Sequence, residues 1–165
     1  MKKSIEFKEK LINSIKSGEK TQTVRVIKEH SLDDMKTIQR TLELHKFHKA
    51  KSYENYPVLQ ELLNRSKYMK GDIVNVSDSS IKLLITKVSI NRMHDLNKEQ
   101  LQKEGLDSLP SATTKNSFTY YDYIERDYSC HSLYGSFLTL MHLCYGFSVV
   151  AKNSFVFVYE FEIVE

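Results

Sequence analysis

Long apolar runs are missing from this chain: none approaches the ~20 residues that a membrane-spanning helix needs, so no membrane partner is expected. Cysteine is scarce too. Cys130 and Cys144 are too few for a disulfide scaffold, and they lack the C-x-x-C spacing of a structural zinc site. The opening Met1-Lys2-Lys3-Ser4-Ile5-Glu6 leads into an amphipathic pattern instead of an apolar signal core, which makes a reduced, cytoplasmic setting the expectation. There is no GxGxxG, no GxxxxGKS/T and no HExxH, so dinucleotide, nucleoside-triphosphate and zinc-hydrolase chemistry have no signature. No cofactor and no metal is expected. His45 and His48 read as a polar surface pair, and Cys130-His131 points apart as neighbours do on any regular element. No internal repeat and no low-complexity tract interrupts the chain.

What is present is enough for one globular domain spanning 1–165: 165 residues, 41% hydrophobic and 27% charged. The net charge of +3 conceals an asymmetry. Residues 1–70 carry 16 Lys/Arg against 9 Asp/Glu, whereas 71–165 carry 8 against 12. A basic N-terminal portion suits either a solvated helical face or a phosphate-bearing partner, since Lys and Arg displace counterions from a nucleic-acid backbone.

Hydrophobic periodicity organises the chain. Phe7, Leu11, Ile12 and Ile15 recur at helical spacing before Ser17-Gly18, a C-cap. The β-branched stretch Lys20 to Ile27 reads as a strand, with Thr21, Thr23 and Arg25 on one face and Gln22, Val24 and Val26 on the other. Residues 29–67 read as a helical insertion: a capping box at Ser31, a stripe of Leu32, Met35, Ile38 and Leu42, and a second helix opened by Pro57. A basic cluster of Lys46, His48, Lys49 and Lys51 lies within it. Strands follow at Ile73–Val76 and Ile81–Ile90, then a short helix capped by Asn97 that ends at Glu104-Gly105. Residues 107–134 are turn-rich and aromatic, with Tyr120, Tyr121, Tyr123 and Tyr128 suited either to anchoring or to stacking on a base. A helix over Leu133–Phe147 and a strand over Ser154–Val164 complete the pattern, with Phe155, Phe157, Tyr159 and Phe161 on one face. The fold class is α+β, a small mixed sheet or barrel with flanking helices.

Gly18-Glu19-Lys20-Thr21-Gln22-Thr23-Val24-Arg25 concentrates chemistry where a helix end becomes a strand. A lysine desolvated at such a turn loses its proton more easily and can act as a base, and a neighbouring threonine hydroxyl can act as a nucleophile. Ideal alternation, however, puts Lys20 and Thr23 on opposite faces, so they meet only if the chain is irregular at Lys20.

This stretch, together with Lys70-Gly71-Asp72-Ile73-Val74-Asn75-Val76, Ile85-Thr86-Lys87-Val88, Arg92, Leu96, Glu104-Gly105 and Asn153 to Phe161, resembles the ASCH family of the PUA-like superfamily, notably its phage and prophage versions. The resemblance covers roughly 8–28, 68–106 and 135–163, leaving the segments 29–67 and 107–134 as insertions. It implies a PUA-like mixed β-barrel with a cleft for a base or nucleotide. It also implies binding of an RNA base or an N4-acylated cytosine nucleoside, with amide hydrolysis by Lys20, Thr23 and Glu104, the branch that acts on N4-acetylcytidine. Thr21, Gln22 and Arg25 are the implied substrate-binding residues. The alternatives are a non-enzymatic binding module for RNA or a modified nucleotide, and a ribonuclease.

Overall fold

A computed structural model describes residues 3–27, 32–50, 52–111 and 117–164. Strand β1 (Ser4–Ile5) precedes helix α1 (Glu9–Lys16), which carries Glu9 in its first turn and Lys16 in its last, matching the helix dipole. Gly18, at φ +80, turns the chain into strand β2 (Gln22–Val26). Helices α2 (Leu32–Phe47) and α3 (Pro57–Asn64) follow, with Pro57 opening α3 as its spacing predicts. Next come β3 (Ile73–Val76), β4 (Lys82–Arg92), a 3-10 turn at Met93–Asp95 and α4 (Lys98–Gln102). Strands β5 (Ser108–Pro110), β6 (Phe118–Asp122) and β7 (Asp127–Cys130) form a small antiparallel sheet. Helices α5 (Leu133–Tyr145) and α6 (Phe147–Ala151) lead into β8 (Phe155–Val164). The Ser31 cap and Lys51 lie outside the described residues.

The α+β class holds. The main sheet runs β1-β3-β4-β8-β2, parallel only between β1 and β3. It is not a closed barrel. Among the described residues β1 and β2 stand at the two ends of the strand order without pairing, and the barrel implied by the resemblance is corrected accordingly. A two-residue β1 offers too little ladder to close the ring.

Alternation along β8 sorts the core into two layers. Phe155, Phe157, Tyr159 and Phe161 pack with Ile38 and Leu42 of α2 and Leu59 and Leu62 of α3. Val156 and Val158 face the other way, toward Leu11 of α1, Leu101 of α4 and Phe137, Leu140 and Met141 of α5. Each such side chain contributes roughly 1.5–3 kcal/mol when fully buried. In β4 a bulge between Ile85 and Lys87 shifts the register, so Leu83 and Ile85 before it and Ile90 after it all reach the α2/α3 layer.

The two segments that the resemblance marks as insertions have structural jobs. Because β3 pairs only with Lys82–Leu84, the far half of β4 lacks a strand neighbour on that side. Residues of α2 and of the loop before α3 cover it: the Ile90 N–H donates to the Tyr53 hydroxyl at 2.9 Å, and Arg92 Nε donates to Gln39 Oε1 at 2.9 Å. In the second insertion the aromatic residues pack on one another and on α1. The Tyr121 ring lies 5.1 Å from Tyr123 and 5.3 Å from Tyr128, with the Lys10 ammonium 4.1 Å from the Tyr121 centroid. Among the described residues no helix is long and apolar enough to cross a membrane.

Candidate functional site

Helix α4 and the start of β2 build the first half of the site. Asn97 caps α4 reciprocally with Gln100: its side chain accepts the Gln100 N–H at 2.9 Å, and Gln100 Oε1 accepts the Asn97 N–H at 3.0 Å. Just past the helix, the Lys103 carbonyl accepts both the Thr21 and Gln22 N–H groups at 3.0 Å, clamping this corner onto the strand. Gly105 then turns back at φ +58, where a Cβ would lie 2.6 Å from Lys20 Cβ and 2.8 Å from its backbone. Only glycine permits that approach.

The clamp buries an ion pair. Lys20 Nζ donates to Glu104 Oε2 at 2.8 Å and to the Glu104 carbonyl at 2.8 Å, with the two side chains 1% and 3% exposed. Gln22 Nε2 donates to the other carboxylate oxygen at 2.9 Å and to the Gln100 carbonyl at 3.0 Å. Burial pushes the Lys20 pKa below the ordinary lysine value; the Glu104 carboxylate opposes this without cancelling it.

Lys20 lies outside the ladder, so strand alternation does not govern its side chain, and it lines the same cavity as Thr23. Its N–H bonds to the Ser14 carbonyl at 2.9 Å, two residues before β2 begins. Thr23 lies within the strand opposite Tyr159, and its Oγ1 accepts from Arg25 Nη1 at 2.9 Å. Arg25 Nη2 reaches across to the Glu6 carbonyl at 2.7 Å, and the guanidinium carbon sits 5.3 Å from the Phe7 ring centroid. Arg25 thus bridges from β2 to the chain just after β1.

Both edge strands border one cavity of about 1010 Å³, lined by Lys20, Thr23, Arg25 and Glu104 together with Phe7, Tyr68, Tyr145, Phe157 and Tyr159. Four of the six residues singled out in the sequence therefore share it. Thr21 and Gln22 do not line it. Thr21 contributes backbone bonds to Lys103 and Phe161, and Gln22 stands behind Glu104 and fixes its orientation. The aromatic segment 118–128 does not line the cavity either. The aromatic walls come from Phe7, Tyr68, Tyr145 and the inner face of β8, which reads as core in sequence. Tyr159 did carry a signal, a hydroxyl among phenylalanines; Tyr68, beside a turn, carried none.

Neither a family model nor a curated protein matches the chain. Among solved structures, the crystal structure of hypothetical protein PH0355 is 17% identical, with 99% of this chain and 100% of that one covered and a TM-score of 0.48. A likeness that distant carries no argument about function.

Proposed function

We propose that the chain is an ASCH-type domain that takes an N4-acylated cytosine nucleoside into this cavity and hydrolyses its amide. The observation that carries the reading is the buried Lys20–Glu104 pair opening on the same cavity as the Thr23 hydroxyl. A buried ion pair is a poor device for stability, because desolvation offsets its attraction and well-packed apolar residues do as well or better. On the wall of a cavity that also carries a hydroxyl held by a guanidinium, the pair has a chemical use.

In this reading Lys20 reacts as the neutral amine that burial favours. It accepts the Thr23 proton as Oγ1 bonds to the amide carbon, and Arg25 stabilises negative charge developing on oxygen. The C–N bond then breaks and the cytosine N4 leaves with the proton returned by Lys20, so that an acyl ester remains on Thr23. Water, deprotonated by Lys20, cleaves the ester, releases the carboxylic acid and restores the hydroxyl. Glu104, with Gln22 behind it, keeps the Lys20 side chain aimed and balances its charge while the proton is held.

The test is chromatographic detection of cytidine released from N4-acetylcytidine. The reading predicts release by the wild type and at least about a thousandfold less by Thr23→Val, in keeping with loss of a nucleophile. Equal release by both, or none by either, contradicts it. The aromatic walls favour one second reading, binding without turnover, in which the same nucleoside binds but stays intact. A ribonuclease, by contrast, would cut labelled RNA and lose that activity in Thr23→Val.

A further inference from the structure

The cavity's charge is uneven in a way the proposed chemistry does not use. Lys20 pairs with Glu104, and Arg25 is engaged by Thr23 and the Glu6 carbonyl. That leaves Lys8, Arg65 and Lys67 as exposed cations lining the cavity, against the single carboxylate of Glu6. Arg65 and Lys67 come from the end of the 29–67 insertion, and their placement is enforced by the residues between and after them. Ser66 Oγ bonds to the Tyr159 hydroxyl at 2.7 Å and to the Tyr68 carbonyl at 2.7 Å, while the Tyr68 hydroxyl donates to the Ser4 carbonyl at 2.5 Å. Ser66 and Tyr68 are thereby tied to β8 and β1, with Ser66 bonded to Tyr159, the partner of Thr23 across the strands, while Arg65 and Lys67 stay exposed. Lys67 Nζ bonds to the Ser4 carbonyl at 3.2 Å and lies 5.2 Å from the Tyr68 ring centroid, which holds it beside β1. Among the described residues Arg65 has one ion-pair partner, Glu61 in the preceding turn, with side chains 55% and 69% exposed, a pairing too solvated to compete with a dianion.

We infer that Arg65 and Lys67, with Lys8, form a phosphate subsite at the mouth of the cavity, so that its ligand is a phosphorylated nucleoside. Charge-assisted bonds from a guanidinium fork and an ammonium suit a phosphate monoester or diester. A neutral nucleoside would leave Lys8 and Lys67 without an ionic counterpart among the described residues, and Arg65 with the solvated Glu61 alone. The inference rests on the nucleoside reading of the cavity and names what that nucleoside carries. By contrast, the basic cluster at 46–49 does not line the cavity, and Lys46 lies 3.9 Å from Asp95.

Calorimetric titration with cytidine and with cytidine 5′-monophosphate tests this on the intact chain. We expect the monophosphate to bind at least about tenfold more tightly, the scale of one or two charge-assisted contacts. Arg65→Ala/Lys67→Ala should bring the ratio close to one without weakening cytidine, because neither side chain is buried. Lys46→Ala/Lys49→Ala, with the same change in net charge, should keep the ratio. A wild-type ratio near one, no monophosphate binding, or equal loss in both double variants overturns the subsite. A cytidine-containing oligonucleotide identifies the source: affinity equal to the monophosphate assigns a free nucleotide, and clearly tighter binding assigns a strand phosphate. Failure to hydrolyse N4-acetylcytidine with the phosphate preference intact removes the amidohydrolase and leaves the subsite; turnover without the preference does the reverse.

Discussion

At the scale of single residues, Lys20 and Glu104 depend on each other. Replacing only one leaves the other's charge buried without its partner, so Lys20→Met should cost about 3–5 kcal/mol of unfolding free energy. Lys20→Met/Glu104→Leu should recover much of that loss, measured by urea denaturation. Equal destabilisation by the single and double variants would show that the pair is not coupled as its 2.8 Å bond requires. Gly105→Ala combines a left-handed backbone with a Cβ driven into Lys20, and at least ~2 kcal/mol should be lost with little room for relief. A thermal melt unchanged by that substitution would refute the close approach. Lys20 was readable in advance because it sits in a short run of unlike chemistry at a helix-to-strand turn, whereas Glu104 was singled out through the family resemblance alone. Tyr68 was not, since nothing in its local sequence says that Ser66 will reach Tyr159 across the fold.

At the scale of elements, Glu160 of β8 ties three pieces together. Its carboxylate meets Lys87 of β4 at 3.0 Å and Lys103, at the end of α4, at 3.2 Å. Burial pushes its pKa up, but the hydrogen bonds from Lys87 and Lys103 prevail, and the folded value falls below the usual glutamate value. A depressed carboxyl contributes stability above its unfolded pKa and loses it as pH falls through the folded one. Wild-type stability should therefore drop more between pH 7 and pH 3 than that of Glu160→Gln, measured by denaturant titration at each pH. Parallel losses would contradict the linkage. Element boundaries were legible where periodicity was strong, as in α1, α3 and the capped α4. They were not where one residue breaks a pattern. Leu83 and Ile85 give way to Val88 and Ile90 across the β4 bulge, and Gly146 at φ +86 divides the Leu133–Phe147 helix into α5 and α6.

At the scale of the whole molecule, the sheet's open side and the candidate site are the same place. The strand order leaves β1 and β2 unpaired with each other among the described residues, the cavity lies along both, and Arg25 spans from one side to the other. The class and the cavity-facing chemistry could be anticipated from the chain. Sheet closure could not, because it depends on β1, two residues whose parallel pairing to β3 has no local sequence signature. The insertions read as additions to a minimal domain, yet one caps β4 and lends its last residues to the cavity mouth.

The most direct test of the account is the pH–rate profile of cytidine release from N4-acetylcytidine. If neutral Lys20 is the base, the rate rises with pH and levels off at an inflection below the ordinary lysine value of 10.5, because burial depresses its pKa. Thr23→Val shows no such limb. Release that is independent of pH throughout this range, or that survives in Thr23→Val, would contradict the assignment of Lys20 and Thr23.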